Sequence, residues 1–144
     1  GKSLGERAIV RVENHHNFAW KDTLPDGREV IVHRKGATPA AKGELGLIPG
    51  PMADPGYIVR GLGNPASLNS ASHGAGRHMS RSDAKNGITA SSLKNLLKER
   101  NVHLIGGGID EAPAAYKDIR KIIAGQTALV EVLGEFFPKV VRMA

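Results

Sequence analysis

The sequence predicts an α+β fold, with mixed short strands and one hairpin, about three helices, and long glycine-rich loops between them. Three observations carry this. Apolar and polar residues alternate early in the chain, turn chemistry follows at Leu24-Pro25-Asp26-Gly27, and a second apolar run returns as Glu29-Val30-Ile31-Val32-His33. Period-two alternation around a Pro-Asp-Gly turn is the signature of a hairpin. Beyond residue 75 come three segments with helix-capping residues, and then a stretch from Ala128 to Met143 rich in Val and Phe. β-branched and aromatic side chains suit a pleated, half-buried surface, so that last stretch reads as strand.

Taken in order, residues 8 to 22 read as a strand leading into a loop, with a short helix as the alternative; the alternation precedes His15-His16-Asn17. Gly27 is free to take the positive φ that the hairpin turn asks for. From Arg34 to Asp54 the chain reads as loop, broken by Gly36, Pro39, Gly43, Gly46, Pro49, Gly50 and Pro51. So long a loop inside a compact domain usually binds something. Tyr57-Ile58-Val59-Arg60 reads as a short strand, with Gly61-Leu62-Gly63-Asn64-Pro65 turning out of it. A helix is expected from about Ala75 to Asn86, stopped by Gly87. Thr89 caps a second helix through Arg100, whose apolar stripe is Leu93, Leu96 and Leu97. Val102 to Ile105 reads as a small strand, and Asp110-Glu111-Ala112-Pro113 as the start of a third helix ending near Ala124, before Gly125. With no internal repeat, low-complexity tract or linker, residues 1–144 read as a single unit.

Composition narrows the function. Twenty Lys and Arg against fourteen Asp and Glu give a net charge of +6, which favours polyanionic partners such as nucleic acid or nucleotides. Six aromatic residues (three Phe, two Tyr, one Trp) make stacking on single-stranded bases a minor mode. The absence of cysteine excludes disulfides, thiolate metal sites and thiol nucleophiles within this chain. No apolar run has the length of a membrane span and no signal-peptide pattern opens the chain, so no membrane partner and a cytoplasmic location are expected. The chain begins Gly1-Lys2-Ser3 without methionine, as a processed product or a piece of something longer would.

Two stretches carry candidate chemistry. Ser70 to Arg81 sets His73 among Ala71, Ser72, Gly74, Ala75 and Gly76, whose small side chains let a ligand approach the backbone, with Arg77 and Arg81 following at four-residue spacing. If a helix starts here, His73, Arg77, Arg81 and Lys85 lie along one side of it, an arrangement suited to chemistry on a phosphate. The alternative is a glycine-rich turn backed by a solvated basic helix. In His15-His16-Asn17, adjacent strand side chains point to opposite faces, so one histidine at most reaches a given site. Either it ligates a metal with co-ligands from elsewhere, or the pair is structural. Lys42 to Met52 can present bare backbone N–H groups to a nucleotide or be a plain surface loop, and Gly106-Gly107-Gly108 lacks the Lys and Ser/Thr of a P-loop. Asp110-Glu111 reads as a helix-start device in preference to an acid/base pair, and Lys35, Arg60, Lys94, Lys98 and Arg100 as nucleic-acid contacts or solvated charge.

Together these segments resemble one family. His15-His16-Asn17, His33-Arg34-Lys35-Gly36-Ala37-Thr38-Pro39-Ala40, Gly46-Leu47-Ile48-Pro49-Gly50, Tyr57-Ile58-Val59-Arg60-Gly61, Ser72-His73-Gly74-Ala75-Gly76-Arg77 and Asp110-Glu111-Ala112-Pro113-Ala114-Ala115-Tyr116-Lys117-Asp118-Ile119 stand in the order and approximate spacing of the RtcB family of RNA-splicing ligases. The resemblance covers nearly the whole chain. It implies the C-terminal part of the RtcB ligase fold and an enzyme that joins an RNA 3′-phosphate, or a 2′,3′-cyclic phosphate, to a 5′-hydroxyl using GTP and manganese (Mn2+). Its substrates would be tRNA halves or cleaved RNA, as in tRNA splicing and RNA repair. By motif match His73 is the nucleophile that attacks the GTP α-phosphate and carries GMP as a covalent intermediate, and His16 is a manganese ligand beside the guanylate. His16, Asn17, Pro49, Gly50, Pro51, Met52, Gly56, Gly74, Ala75 and Gly76 match guanylate-contacting positions, and Arg77 and Arg81 match positions for RNA phosphates.

The chain also departs from the family pattern. Pro51 and Gly56 stand where the family has serines, and Val141-Arg142-Met143-Ala144 stands where it ends in a lysine-glycine reaching the guanine. The family's other metal ligands, an aspartate, a cysteine and two histidines, belong to an N-terminal portion absent from this sequence. That missing part is an implied partner, and the isolated chain is expected to be inactive. The alternative function is a non-catalytic RNA- or nucleotide-binding module derived from the same fold.

Overall fold

A computed structural model describes residues 12–15 and 17–143. His16 and the alternating run over residues 8 to 11 lie outside the described residues. Nine strands and three α-helices are described: β1 (Asn17–Thr23), β2 (Glu29–Lys35), β3 (Ala37–Pro39), β4 (Leu45–Ile48), β5 (Gly56–Gly61), β6 (Ser70–Ser72), α1 (Arg81–Gly87), α2 (Ala90–Arg100), β7 (His103–Ile105), α3 (Ile119–Ala124), β8 (Val130–Phe136) and β9 (Val140–Arg142). Short strands mixed with three helices are an α+β arrangement, as the sequence predicts.

The strands form four small sheets. β1 and β2 make the hairpin, β3 pairs with β6, β4-β5-β8 form a three-stranded antiparallel sheet, and β7 pairs with β9 in parallel. β5 is the organising strand. Tyr57 and Val59 point inward while Ile58 and Arg60 face out, and Arg60 reaches Glu131 of β8 at 3.3 Å. The inward side chains join Ala40, Ile48, Ala71, Ala75, Ile119 and Val130 in one core, against which Tyr116, Ile122, Ile123 and Leu129 pack. α2 follows its sequence signals: Thr89 accepts from the Ser92 amide, and Asn101 closes the helix in the left-handed region at φ 55°.

Four sequence expectations are corrected. The first hairpin strand runs from Asn17 to Thr23, after the histidines, because the turn fixes the register: Leu24 N–H bonds Arg28 O, and the residues just before it pair with β2 from Thr23↔Glu29 to Asn17↔Lys35. The loop read over Arg34 to Asp54 holds the end of β2, β3 and β4, and the partners of β3 and β4 lie downstream in β6 and β5. The helix expected from Ala75 starts at Arg81, capped by Ser80, whose hydroxyl accepts from the Asp83 amide. Gly76 stands at φ +69°, outside right-handed helical space, so His73, Arg77, Arg81 and Lys85 do not share a helix face. The third helix is three pieces: 3-10 turns at Ile109–Glu111 and Pro113–Ala115, then α3 behind Asp118. Pro113 forces the preceding Ala112 into extended backbone (φ −60°, ψ 145°), which breaks the helix there.

Candidate active site

Residues from five parts of the chain surround a cleft of about 780 Å³: the Pro49–Met52 turn with Asp54 and Gly56, the His73–Arg77 segment, Arg81, Glu111 with Tyr116, and the Phe136–Met143 end. That volume falls within the range of roughly 300–1,000 Å³ usual for small-molecule sites.

The turn between β4 and β5 is tightly built. Pro51, Met52, Ala53 and Pro55 are buried, and Asp54 N–H bonds Pro51 O at 2.8 Å. A side chain at Gly50 would place its Cβ 2.3 Å from the Pro55 carbonyl oxygen, so only glycine lets the turn fold back this closely. Beside it lies Gly74, whose added Cβ would stand 3.4 Å from Pro49 O.

The His73 segment is held by elements remote in sequence. Ala37 pairs with Ser72 across β3 and β6, and the His73 amide faces Gly36 O at 3.4 Å. The buried Gln126 side chain accepts from the Ser72 amide at 2.9 Å, and the Ser72 hydroxyl donates to Gly74 O at 2.6 Å. Farther along, Lys117 N–H bonds Gly76 O at 2.9 Å and His78 N–H bonds Ala115 O at 3.1 Å. His73 therefore stands on a loop pinned by elements remote in sequence.

Next to it the charged groups are matched. Arg81 donates to Asp110 at 2.6 Å and also to Glu111, while the Tyr116 hydroxyl donates to Glu111. Arg77 lies over the Tyr116 ring at 4.9 Å, donates from Nε to Met79 O at 3.1 Å and from Nη1 to the Tyr116 oxygen at 3.2 Å, and stands 3.8 Å from Glu111. Its Nη2 is buried and finds no hydrogen-bond partner among the described residues. The Arg81 hydrogen bond holds the Asp110 carboxyl below its ordinary value. Burial pushes Glu111 up, but hydrogen bonds from Tyr116 and Arg81 and the charges of Arg81 and Arg77 outweigh it and leave it lowered. Burial, then the bond to Glu111, raises Tyr116. These acids do open a 3-10 turn, but their carboxylates are engaged with the arginines.

Most of the site residues expected from the sequence line this one cleft: Pro49, Gly50, Pro51, Met52, Gly56, His73, Gly74, Ala75, Gly76, Arg77 and Arg81. Asn17 does not; its side chain meets His33 at 2.6 Å in the hairpin. His15 stacks on Phe18 at 4.9 Å. At Gly56, where the family has a serine, the Phe136 ring of the paired strand takes the space, 2.3 Å from where a Cβ would stand. Sequence reasoning missed Glu111, Tyr116, Phe136 and Arg142 as cleft residues. Glu111 and Tyr116 lie inside a segment that carried the resemblance, and Arg142 is the cation nearest in sequence to the family's terminal lysine position, brought in by β9 pairing in parallel with β7. For a nucleotide the residues present fit: a glycine-lined wall, a histidine and two arginines meet in one cleft. Among the described residues no group of three or more His, Asp or Glu that could hold a metal ion occurs, and His16, the expected metal ligand, lies outside them. Nor is any described helix long and apolar enough to cross a membrane.

Comparison with known proteins points to one family. The family model described as tRNA-splicing ligase RtcB matches residues 2–143. An RNA-splicing ligase RtcB of Escherichia coli is 44% identical over 132 residues, covering 88% of this chain and 31% of its own length. One of Mycobacterium tuberculosis is 36% identical over 146 residues (85% and 34%), and a tRNA-splicing ligase RtcB of Thermococcus kodakarensis is 33% identical over 139 residues (82% and 29%). The chain spans about a third of the length of these relatives. On the extent of that match, and with the motif residues gathered at a single cleft, the chain belongs to the RtcB family of ligases.

Proposed function

We propose that the chain is the C-terminal part of a GTP-dependent RNA ligase that joins 3′-phosphate or 2′,3′-cyclic phosphate ends to 5′-hydroxyl ends, with His73 as the guanylylated residue. The observation that carries the reading is the junction of His73 with the Gly74-Ala75-Gly76 backbone and the Pro49–Met52 turn in one cleft. His73 attacks the α-phosphorus of GTP; an N–P bond forms and pyrophosphate leaves. The RNA 3′-phosphate then takes GMP from His73, and the 5′-hydroxyl oxygen attacks the activated 3′-phosphorus, forming the phosphodiester and releasing GMP. This chain's residues supply position. The pinned loop keeps His73 in place, the small side chains of Gly74, Ala75 and Gly76 let phosphate oxygens approach the backbone, and Arg77 and Arg81 supply positive charge for RNA phosphate. Arg142, brought in by β9, adds a further cation to the cleft lining. Manganese would be held by His16 together with residues of the family's N-terminal part and would neutralise phosphate charge.

The test uses α-labelled GTP and manganese, with the chain alone and with an N-terminal part supplied from a relative. An acid-labile, base-stable adduct that needs the added part and disappears in His73→Ala is the expected result. No adduct under any condition, alongside salt-sensitive RNA binding, leaves a non-catalytic RNA-binding module in its place.

A further inference from the structure

The donors expected to receive phosphate are already occupied by the chain itself. Arg81 and the Tyr116 hydroxyl both donate to Glu111, and Arg77 stands 3.8 Å away from the same carboxylate. Two donors and a neighbouring guanidinium around one anion is the arrangement of a phosphate subsite, and here Glu111 fills it. Asp110 adds a second carboxylate on Arg81. Two guanidiniums against two carboxylates leave the cluster neutral, so it offers little net attraction to a passing anion. The cluster can nevertheless open. The Arg81 side chain is 64% exposed, whereas that of Glu111 is only 14% exposed. Arg81 is the member free to swing toward a ligand. The buried, unpartnered Nη2 of Arg77 is a donor that the chain's own residues leave unused.

We propose that Glu111 is a specificity-determining residue: its carboxylate occupies the phosphate-binding donors as an internal competitor, which a terminal phosphomonoester displaces and a backbone phosphodiester does not. A monoester end carries close to two negative charges at neutral pH and has three free oxygens, whereas a diester carries one charge and two. Only the former exceeds the charge of the carboxylate it must displace, and it can bond Arg81 and the Tyr116 hydroxyl together, the two donors that Glu111 now holds. The inference rests on the ligase reading of this same cleft and deepens it. Glu111 thus directs the site to RNA ends in preference to RNA backbone.

The experiment measures binding of two RNAs that differ only at the 3′ end, phosphate or hydroxyl, to the full chain and to Glu111→Gln and Tyr116→Phe variants across a salt series. Glu111→Gln keeps side-chain size and removes the charge. It is expected to strengthen binding of both RNAs and to steepen the salt dependence by about 0.7, one freed phosphate contact on a single strand. The preference for the 3′-phosphate should fall by about tenfold, a loss on the scale of one charged hydrogen bond. Tyr116→Phe deletes one donor without changing charge, so it should reduce the preference and leave the salt slope unchanged. Equal preference in parent and variants, no preference in the parent, or weaker binding in Glu111→Gln overturns the proposal. Failure of the ligase reading shows separately: a His73 adduct without end discrimination removes only the Glu111 proposal, and end discrimination without an adduct removes only the ligase reading.

Discussion

Replacing Gly50 with alanine should damage the turn that forms one wall of the cleft. The added Cβ would sit 2.3 Å from Pro55 O and 3.2 Å from Pro55 C, both backbone atoms that cannot rotate away. The gap to the oxygen must open to at least 3.0 Å, and the turn has no slack: Met52 is 4% exposed, Ala53 5%, and Pro55 is fully buried. Opening the turn uncovers these side chains or distorts the backbone, at a cost of about 1–3 kcal/mol, as for other overpacked sites. In urea unfolding, with slopes of about 1–3 kcal/mol/M, a loss of ~2 kcal/mol moves the midpoint down by roughly 1 M. Gly87→Ala is the control of opposite sign. It ends α1, is exposed, and an added Cβ meets nothing within 4 Å, so alanine should stabilise by about 0.5–1 kcal/mol. A Gly50→Ala midpoint equal to or above the parent's, at unchanged slope, would refute the claim that only glycine lets the turn fold back this closely on the Pro55 carbonyl.

Gln126→Ala removes the acceptor of the half-buried Ser72 amide and should cost about 1–3 kcal/mol, read as a lowered unfolding midpoint, with backbone shifts at residues 72 to 74 in amide spectra. Asp110 and Glu111 both have carboxyls lowered below their ordinary values by Arg81 and its neighbours. Stability they contribute is therefore present above the unfolded values of about 4 and is lost as pH falls through the lower folded ones. An acid titration followed by unfolding should show that loss below about pH 4 in the parent and a shallower one in Arg81→Gln; identical acid limbs would count against the pairing.

What the sequence disclosed follows how far each signal reaches along the chain. α2 was legible because Thr89, the stripe of Leu93, Leu96 and Leu97, and the helix end all lie within a dozen residues or so. The hairpin was legible from its turn, though not its first strand, because the alternation at residues 8 to 12 competed with the pairing that the turn imposes. β3, β4 and β6 were hidden: three- and four-residue strands have no periodicity to read, and each owes its existence to a partner elsewhere. The same split runs through the site. His73 and its small neighbours stood out as a motif, and the structure brings them to the cleft. Phe136 and Arg142 did not, because nothing local to them says that β5–β8 and β7–β9 pairing will carry them to the cleft, nor did Glu111 and Tyr116, which reach it through contacts with Arg81 and Arg77. Asp110-Glu111 was locally indistinguishable from a helix start; its engagement with Arg81 is a tertiary fact.

The parallel pairing of β7 with β9 bears on how the cleft comes into being during synthesis. Val140–Arg142 dock beside His103–Ile105, and Met143 N–H bonds Ile105 O at 3.0 Å. Until those last residues leave the ribosome, the wall that holds Phe136 and Arg142 does not exist, although the hairpin, α1 and α2 can already form from local contacts. A nascent chain halted near residue 130 would carry His73 on an open surface, with no enclosed site around it. Closure of the cleft therefore comes late in the synthesis of this region, after the His73 loop and the β4–β5 turn have already been made.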